Sequence, residues 1–87
     1  MSLTLDPMLS ATIYELSGLT TDMHTKRVKD KVYDVPEVGG CAFEMQDGRT
    51  FMFLKHKSDV ELDDDAITAA VRSAGSFDVI GRGGAGA

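Results

Sequence analysis

The segment Thr21-Asp22-Met23-His24 carries the side chains of this sequence that are best suited to bind a metal ion. An imidazole nitrogen, a thioether sulfur and a carboxylate oxygen are all metal ligands, and copper and zinc both accept imidazole. A helix that begins here would disfavour the imidazolium and keep the ring neutral. We therefore predict His24 and Met23, with Asp22 as a harder helper, as ligands of a weakly bound Cu or Zn ion.

His24 also has a structural interpretation. It precedes Val28 by one helical turn, so it would lie at the edge of a helix's apolar stripe as a partly buried residue. Successive residues on a helix diverge by about 100°. Met23 and His24 therefore do not converge easily on one ion.

Other reactive side chains give weaker signals. Cys41 would be a third ligand or a reactive thiol, but its alternation with Phe43 favours a small, inert core residue. His56 is expected at the end of the domain opposite His24, so the two histidines cannot share an ion. The acidic side chains near the second predicted helix lack the spacing of an EF-hand and are expected to cap and solvate that helix. They are Asp59, Glu61, Asp63, Asp64 and Asp65.

Catalytic and phosphate-binding patterns are not found in the sequence. Ser73 and Ser76 have no histidine in register, and no two carboxylates are forced together. The C-terminal glycines do not follow a strand and open a helix, as a phosphate loop would require. We expect a protein that is not an enzyme.

The composition describes one small acidic domain. The chain has 87 residues, 43% of them hydrophobic, a net charge of −5 and a pI near 4.7. Nucleic acids and anionic membranes favour basic surfaces, so neither is expected as a partner. A single cysteine excludes an internal disulfide. With no signal-peptide pattern and no apolar stretch of membrane-spanning length, we predict a cytoplasmic protein.

Periodicity predicts six elements that must position these residues. Helices are expected over 22–35, with Thr21 as N-cap, and over 63–74, with Asp63 as cap. Strands are expected over 11–16, 41–46 and 50–55, with a short last strand near 77–79. Asp47-Gly48 between two alternating runs is a strong hairpin signal. Residues 1–10 and 81–87 are predicted to be a loose arm and a glycine-rich tail around the 11–80 domain.

The order strand, helix, strand, strand, helix, strand predicts an α+β, ferredoxin-like βαββαβ fold. Its four-stranded antiparallel sheet would have the order 4-1-3-2, with both helices on one face. The core between sheet and helices is expected to contain Phe43, Phe51, Phe53, Val28, Val32, Ile67 and Val71. The uncovered face is expected to carry an apolar patch of Ile13, Met52 and Leu54, a candidate interface.

Several segments resemble the heavy-metal-associated, copper-chaperone-like domain family. The family's Gly-Met-Thr-Cys-x-x-Cys loop corresponds to the segment 18–24 here. Val35-Pro36-Glu37-Val38 is similar to its Leu-Pro-Gly-Val, and residues 66–75 are similar to its second helix with an Ala-Gly ending. The resemblance covers about residues 12–80 and implies the same fold and a metal-handling function.

This sequence lacks the two metal-binding cysteines of the family. Thr21 and His24 stand where the resemblance places the two cysteines. A threonine hydroxyl does not replace a thiolate on a soft metal. Two hypotheses remain: a metal-handling domain with a degenerate or retuned site, and a protein-interaction module without the ion. In the second, the Met52/Leu54 face would form a weak homodimer, or the basic side chains of the first helix would dock an acidic partner. Those side chains are Lys26, Arg27, Lys29 and Lys31.

Overall fold

The computed structural model describes residues 9–83 and contains six elements in the predicted order. The strands are β1 (Leu9–Ser17), β2 (Gly40–Gln46), β3 (Arg49–Lys57) and β4 (Asp78–Gly83). The helices are α1 (Asp22–Val32) and α2 (Asp64–Ser73). The strands form one antiparallel sheet with the order β2-β3-β1-β4, which confirms the predicted topology.

Both helices begin where the sequence predicts. Thr21 accepts a hydrogen bond from the His24 N–H with its hydroxyl oxygen, and Asp63 accepts from the N–H groups of Asp65 and Ala66. These side chains satisfy backbone donors that have no partner inside the helix. Helix α1 ends three residues earlier than predicted, with Tyr33 as its C-cap.

The strands extend beyond the predicted bounds. Leu9 and Ser10, assigned to a loose arm, belong to β1, where they pair with Lys57 and His56. Residues 81–83, assigned to the tail, belong to β4 and pair with the middle of β1. The remainder of the predicted arm and tail lies outside the described residues.

The core lies between one face of the sheet and the two helices. Val28 and Val32 of α1 meet Ile67 and Val71 of α2, and all four are fully buried. From the sheet, β1 and β3 contribute Tyr14, Leu16, Met52 and Leu54. Cys41 and Phe43 of β2 pack against this cluster as partly buried residues. Both helices therefore cover the same face.

The prediction for the two faces of β3 is wrong. Met52 and Leu54, expected on the uncovered face, are both 0% exposed in the core. Phe51 and Phe53, expected in the core, lie on the uncovered face, where they pair with Glu15 and Ile13 of β1. Ile13 is on the uncovered face as predicted. The reason is the register of the hairpin, which places Met52 beside Phe43 and Leu54 beside Cys41.

Tyr14 ties α2 to the sheet. Its hydroxyl donates to Asp64 Oδ1 at 2.7 Å, and Arg82 Nη1 of β4 lies 2.9 Å from Asp64 Oδ2. Burial, and then the hydrogen bond to Asp64, raise the pKa of Tyr14 well above its ordinary value. Tyr14 therefore stays a neutral donor at physiological pH.

Within residues 9–83, no helix is long and apolar enough to span a lipid bilayer.

Candidate functional site

The loop between β1 and α1, which leads into the predicted metal ligands in the first turn of α1, is shaped by a close backbone approach. Gly18 has a φ of +94°, and a side chain there would meet the Ser76 carbonyl oxygen at 2.5 Å. Only glycine accepts both conditions without strain. The loop therefore lies against the segment that leads into β4, and Leu19 and Phe77 are buried beside it.

His24, in the first turn of α1, is held against this loop by a hydrogen bond and by ring packing. The Thr20 backbone N–H donates to His24 Nδ1 at 3.0 Å. The imidazole also packs on Phe77, with ring centroids 5.1 Å apart. Because Nδ1 accepts this hydrogen bond, the proton of the neutral ring lies on Nε2.

This tautomer is unsuited to metal binding. A metal-bound histidine usually donates its other ring N–H to an acceptor. At His24 the other nitrogen faces a donor, so coordination through Nε2 would break the bond to Thr20. Met23 is 62% exposed, and Asp22 is exposed in the first turn of α1. Among residues 9–83, no group of three or more His, Cys, Asp or Glu side chains is arranged to hold a metal ion.

Cys41 lies on β2 beneath α1, partly buried against the core, as its alternation predicted. Burial raises the pKa of the Cys41 thiol to about 11, and the nearby Lys29 opposes this only in part. The thiol is therefore protonated at neutral pH. A protonated thiol is a poor nucleophile and a poor metal ligand.

His56 is a buried structural residue. Its Nδ1 lies 2.8 Å from the Lys57 carbonyl oxygen, which can only accept, so Nδ1 carries the proton. Its Nε2 lies 2.8 Å from the Thr12 hydroxyl, so the two buried side chains are hydrogen-bonded. His56 pairs with Ser10, whereas the His24 loop follows the opposite end of β1. The two histidines therefore lie at opposite ends of the sheet, as predicted.

The face of the sheet that the helices leave uncovered places partly buried apolar side chains, Ile13, Phe51 and Phe53, between charged residues. The strand register arranges this face in three rows across β2, β3 and β1. The basic row is Gly40, Lys55 and Ala11; the apolar row is Ala42, Phe53 and Ile13; the acidic row is Glu44, Phe51 and Glu15.

Arg49 closes the acidic end of this face. Its guanidinium Nη2 lies 2.8 Å from Glu15 Oε1, and its central carbon lies 5.1 Å from the centre of the Phe51 ring. The hydrogen bond from Arg49 holds the pKa of Glu15 below its usual range. Glu44 and Lys55 are in none of the ion pairs found among residues 9–83.

The rows on this face differ from the predicted patch of Ile13, Met52 and Leu54, of which only Ile13 is present. Phe51 and Phe53 were missed because they were assigned to the core.

In comparisons with known proteins, no family model, no curated protein and no solved structure matches the chain.

Proposed function

We propose that this protein is an interaction module whose uncovered sheet face binds a second copy of the chain. The observation that supports the proposal most is the order of the three rows along β3. Lys55 and Phe51 lie at equal distances on either side of Phe53, about 6.6 Å along the strand. Glu15 is already paired with Arg49, so the charges of the three rows that are in no ion pair are Lys55 at one end and Glu44 at the other, with the apolar row between them.

A twofold axis that crosses the strands at the apolar row would make this face complementary to itself. Such an axis lays β3 of one copy over β3 of the other with the strand directions reversed. Lys55 of each copy then faces the partner's Phe51, between Glu44 and Glu15. An axis along the strands would instead bring the two Lys55 side chains together. The charge order therefore favours the first arrangement, an isologous dimer.

The interface is small, so the dimer is expected to be weak. Two stacked sheets pack about 10 Å apart and bury the side chains between them. The apolar contribution comes mainly from Phe51, Phe53 and Ile13, each of which is already partly buried in the monomer. The gain at about 25 cal/mol per Å² must exceed several kcal/mol of lost translational and rotational freedom.

Metal handling, which the resemblance to heavy-metal-associated domains predicts, has less support. His24 Nδ1 accepts a backbone hydrogen bond, and the Cys41 thiol is protonated at neutral pH. Weak Cu or Zn binding through Met23 and His24, a cytoplasmic location and the lack of enzymatic activity all stay predictions.

Sedimentation equilibrium of three charge variants tests the dimer. Lys55→Glu and Glu44→Lys each place like charges across the interface, twice per dimer. Each is expected to weaken association by about tenfold, at 0.2–1 kcal/mol per exposed pair. The double variant Lys55→Glu/Glu44→Lys restores opposite charges and is expected to recover most of the loss.

Lys31→Glu is the matched control. It makes the same change in net charge as Lys55→Glu, but on the exposed surface of α1, away from the sheet face. Its dimerisation is expected to match that of the wild type. A wild-type chain that is monomeric at every accessible concentration, or a double variant no better than the single ones, contradicts the proposal.

A further inference from the structure

Strand β2 lies at the edge of the sheet. Within residues 9–83 it pairs with β3 alone, so its other side presents backbone N–H and C=O groups that no described strand satisfies. Unpaired strand edges of this kind can add a further strand from another chain. The edge is formed by seven residues, Gly40–Gln46.

The hairpin turn shows which backbone groups point outward. Asp47 and Gly48 both have positive φ values, +53° and +77°, which is the conformation of a two-residue type I′ turn. Such a turn closes on a hydrogen-bonded pair, here Gln46 and Arg49. Hydrogen-bonded and non-hydrogen-bonded pairs alternate along an antiparallel ladder. Glu44, Ala42 and Gly40 therefore bond inward to β3. The outward groups belong to Met45, Phe43 and Cys41.

A groove flanks this edge on the helix side. It runs between β2 and α1 and is lined by Thr25, Lys26, Lys29, Asp30, Cys41, Ala42 and Phe43. Lys26 and Lys29 are exposed and outnumber the one carboxylate, Asp30. The groove therefore has a basic wall above an apolar floor.

A second groove flanks β2 on the other side. It is lined by Ala11, Tyr33, Gly40, Cys41, Ala42, Phe53 and Lys55. Apart from Lys55, this lining is apolar or aromatic. Tyr33, at the end of α1, is 45% exposed and closes the groove at the edge of the sheet.

We propose that the β2 edge binds an extended peptide segment of a partner protein in which acidic and apolar residues alternate. Successive side chains of a strand point to opposite faces. One set therefore enters the basic groove beneath α1, and the other enters the apolar groove beside Phe53. Backbone hydrogen bonds to the outward groups of β2 supply affinity, and the two grooves supply specificity.

Charge selects this partner over a second copy of the chain at the same edge. Pairing β2 with its own copy would bring the lysine-lined grooves of two α1 helices toward each other. Acidic side chains have the opposite effect, because they neutralise Lys26 and Lys29. The chain carries a net charge of −5, so the attraction is local, and added salt is expected to weaken it.

Binding of a synthetic probe tests this inference. The probe is an acetylated and amidated seven-residue peptide of alternating Glu and Val, titrated into labelled protein held at a concentration where the chain is monomeric. Lys26→Glu/Lys29→Glu reverses the groove charge and is expected to weaken binding by at least about tenfold. Arg27→Glu/Lys31→Glu makes the same change in net charge outside the groove and is expected to leave binding within about twofold.

A second pair of variants tests the backbone contact. Met45→Pro removes an outward N–H, and proline is tolerated on the open side of an edge strand. Met45→Ala shortens the same side chain, which is 50% exposed, but keeps the N–H. Circular dichroism checks that both variants fold. Met45→Pro is expected to lose most of the peptide affinity and Met45→Ala to keep it.

Two results would overturn the inference. One is the absence of binding by the Glu/Val peptide at millimolar concentration. The other is equal binding of a Lys/Val peptide, which would show that the lysine-lined groove does not select charge. Protection from exchange of the Cys41, Phe43 and Met45 amide protons on peptide addition would support it, because these are the outward groups of β2. The outcome is independent of homodimerisation, since monomeric protein is titrated.

Discussion

Phe53→Ala is the most direct test of the proposed dimer, because Phe53 lies at the centre of the apolar row between Ala42 and Ile13. The ring is partly buried in the monomer. If roughly 50 Å² of it is covered on association, each ring contributes about 1.2 kcal/mol at 25 cal/mol per Å². A symmetric dimer contains two such rings. The variant is therefore expected to lose about 2.5 kcal/mol and to raise the dimer Kd by about 70-fold.

Sedimentation equilibrium measures this change, and circular dichroism checks that the variant monomer is folded. Met45→Ala is the control, because Met45 is an exposed apolar residue on β2 that shares the helix-facing side with Phe43. Its dimer Kd is expected to match the wild type. An unchanged Kd for Phe53→Ala, or an equal loss in Met45→Ala, would show that the apolar row is not the interface.

Three further predictions follow from the positions of single residues. Met52→Lys places a charge in the core and is expected to lower the free energy of unfolding by at least about 3 kcal/mol in urea denaturation. It therefore cannot be used to test the uncovered face, on which Met52 was predicted to lie. The Cys41 thiol, with its pKa near 11, is expected to react with iodoacetamide at pH 8 about a hundredfold more slowly than an unperturbed thiol. Mass spectrometry over time measures this rate. A rate equal to that of the urea-unfolded chain would contradict the burial of Cys41. Wild-type protein is expected to lose Zn(II) to a competing chelator, whereas Thr21→Cys/His24→Cys is expected to retain one equivalent, because two thiolates then meet at a helix N-terminus. Retention by the wild type that is lost in His24→Ala would show that His24 is a ligand despite its tautomer.

The topology and the helix starts could be predicted because they depend on local signals. Thr21 and Asp63 precede amphipathic stretches, and each accepts hydrogen bonds from the first turn of its helix. The Asp47-Gly48 pair favours a type I′ turn, which requires positive φ values at both central residues. These features involve residues within a few positions of one another, so the sequence alone contains the interaction.

The geometry of the predicted metal loop could not be obtained in this way. The tautomer of His24 depends on the Thr20 N–H, and its ring position depends on Phe77, which is distant in the chain. The ring contact joins the start of α1 to the segment before β4, where the backbone of Gly18 closely approaches Ser76. Sequence spacing predicts His24 as a residue of interest, but its packing on Phe77 follows from the tertiary structure.

Hydrophobicity alone does not predict which side chains of β3 point toward the core. Phe51, Met52, Phe53 and Leu54 are all apolar, so either alternate pair fits a buried face. The prediction that Phe51 and Phe53 face the core is wrong. A small core beneath two helices is filled here by Met52 and Leu54, while the rings lie across the uncovered face.

The turn nevertheless contains the information that hydrophobicity lacks. A two-residue loop at Asp47-Gly48 pairs Gln46 with Arg49, and counting back along both strands pairs Phe43 with Met52. Residues paired across an antiparallel ladder share a face. Once Phe43 is assigned to the helix side, Met52 must join it, and Phe51 and Phe53 must lie on the other face. The same two residues also fix which backbone groups of β2 point outward, so one turn determines both surfaces proposed for binding.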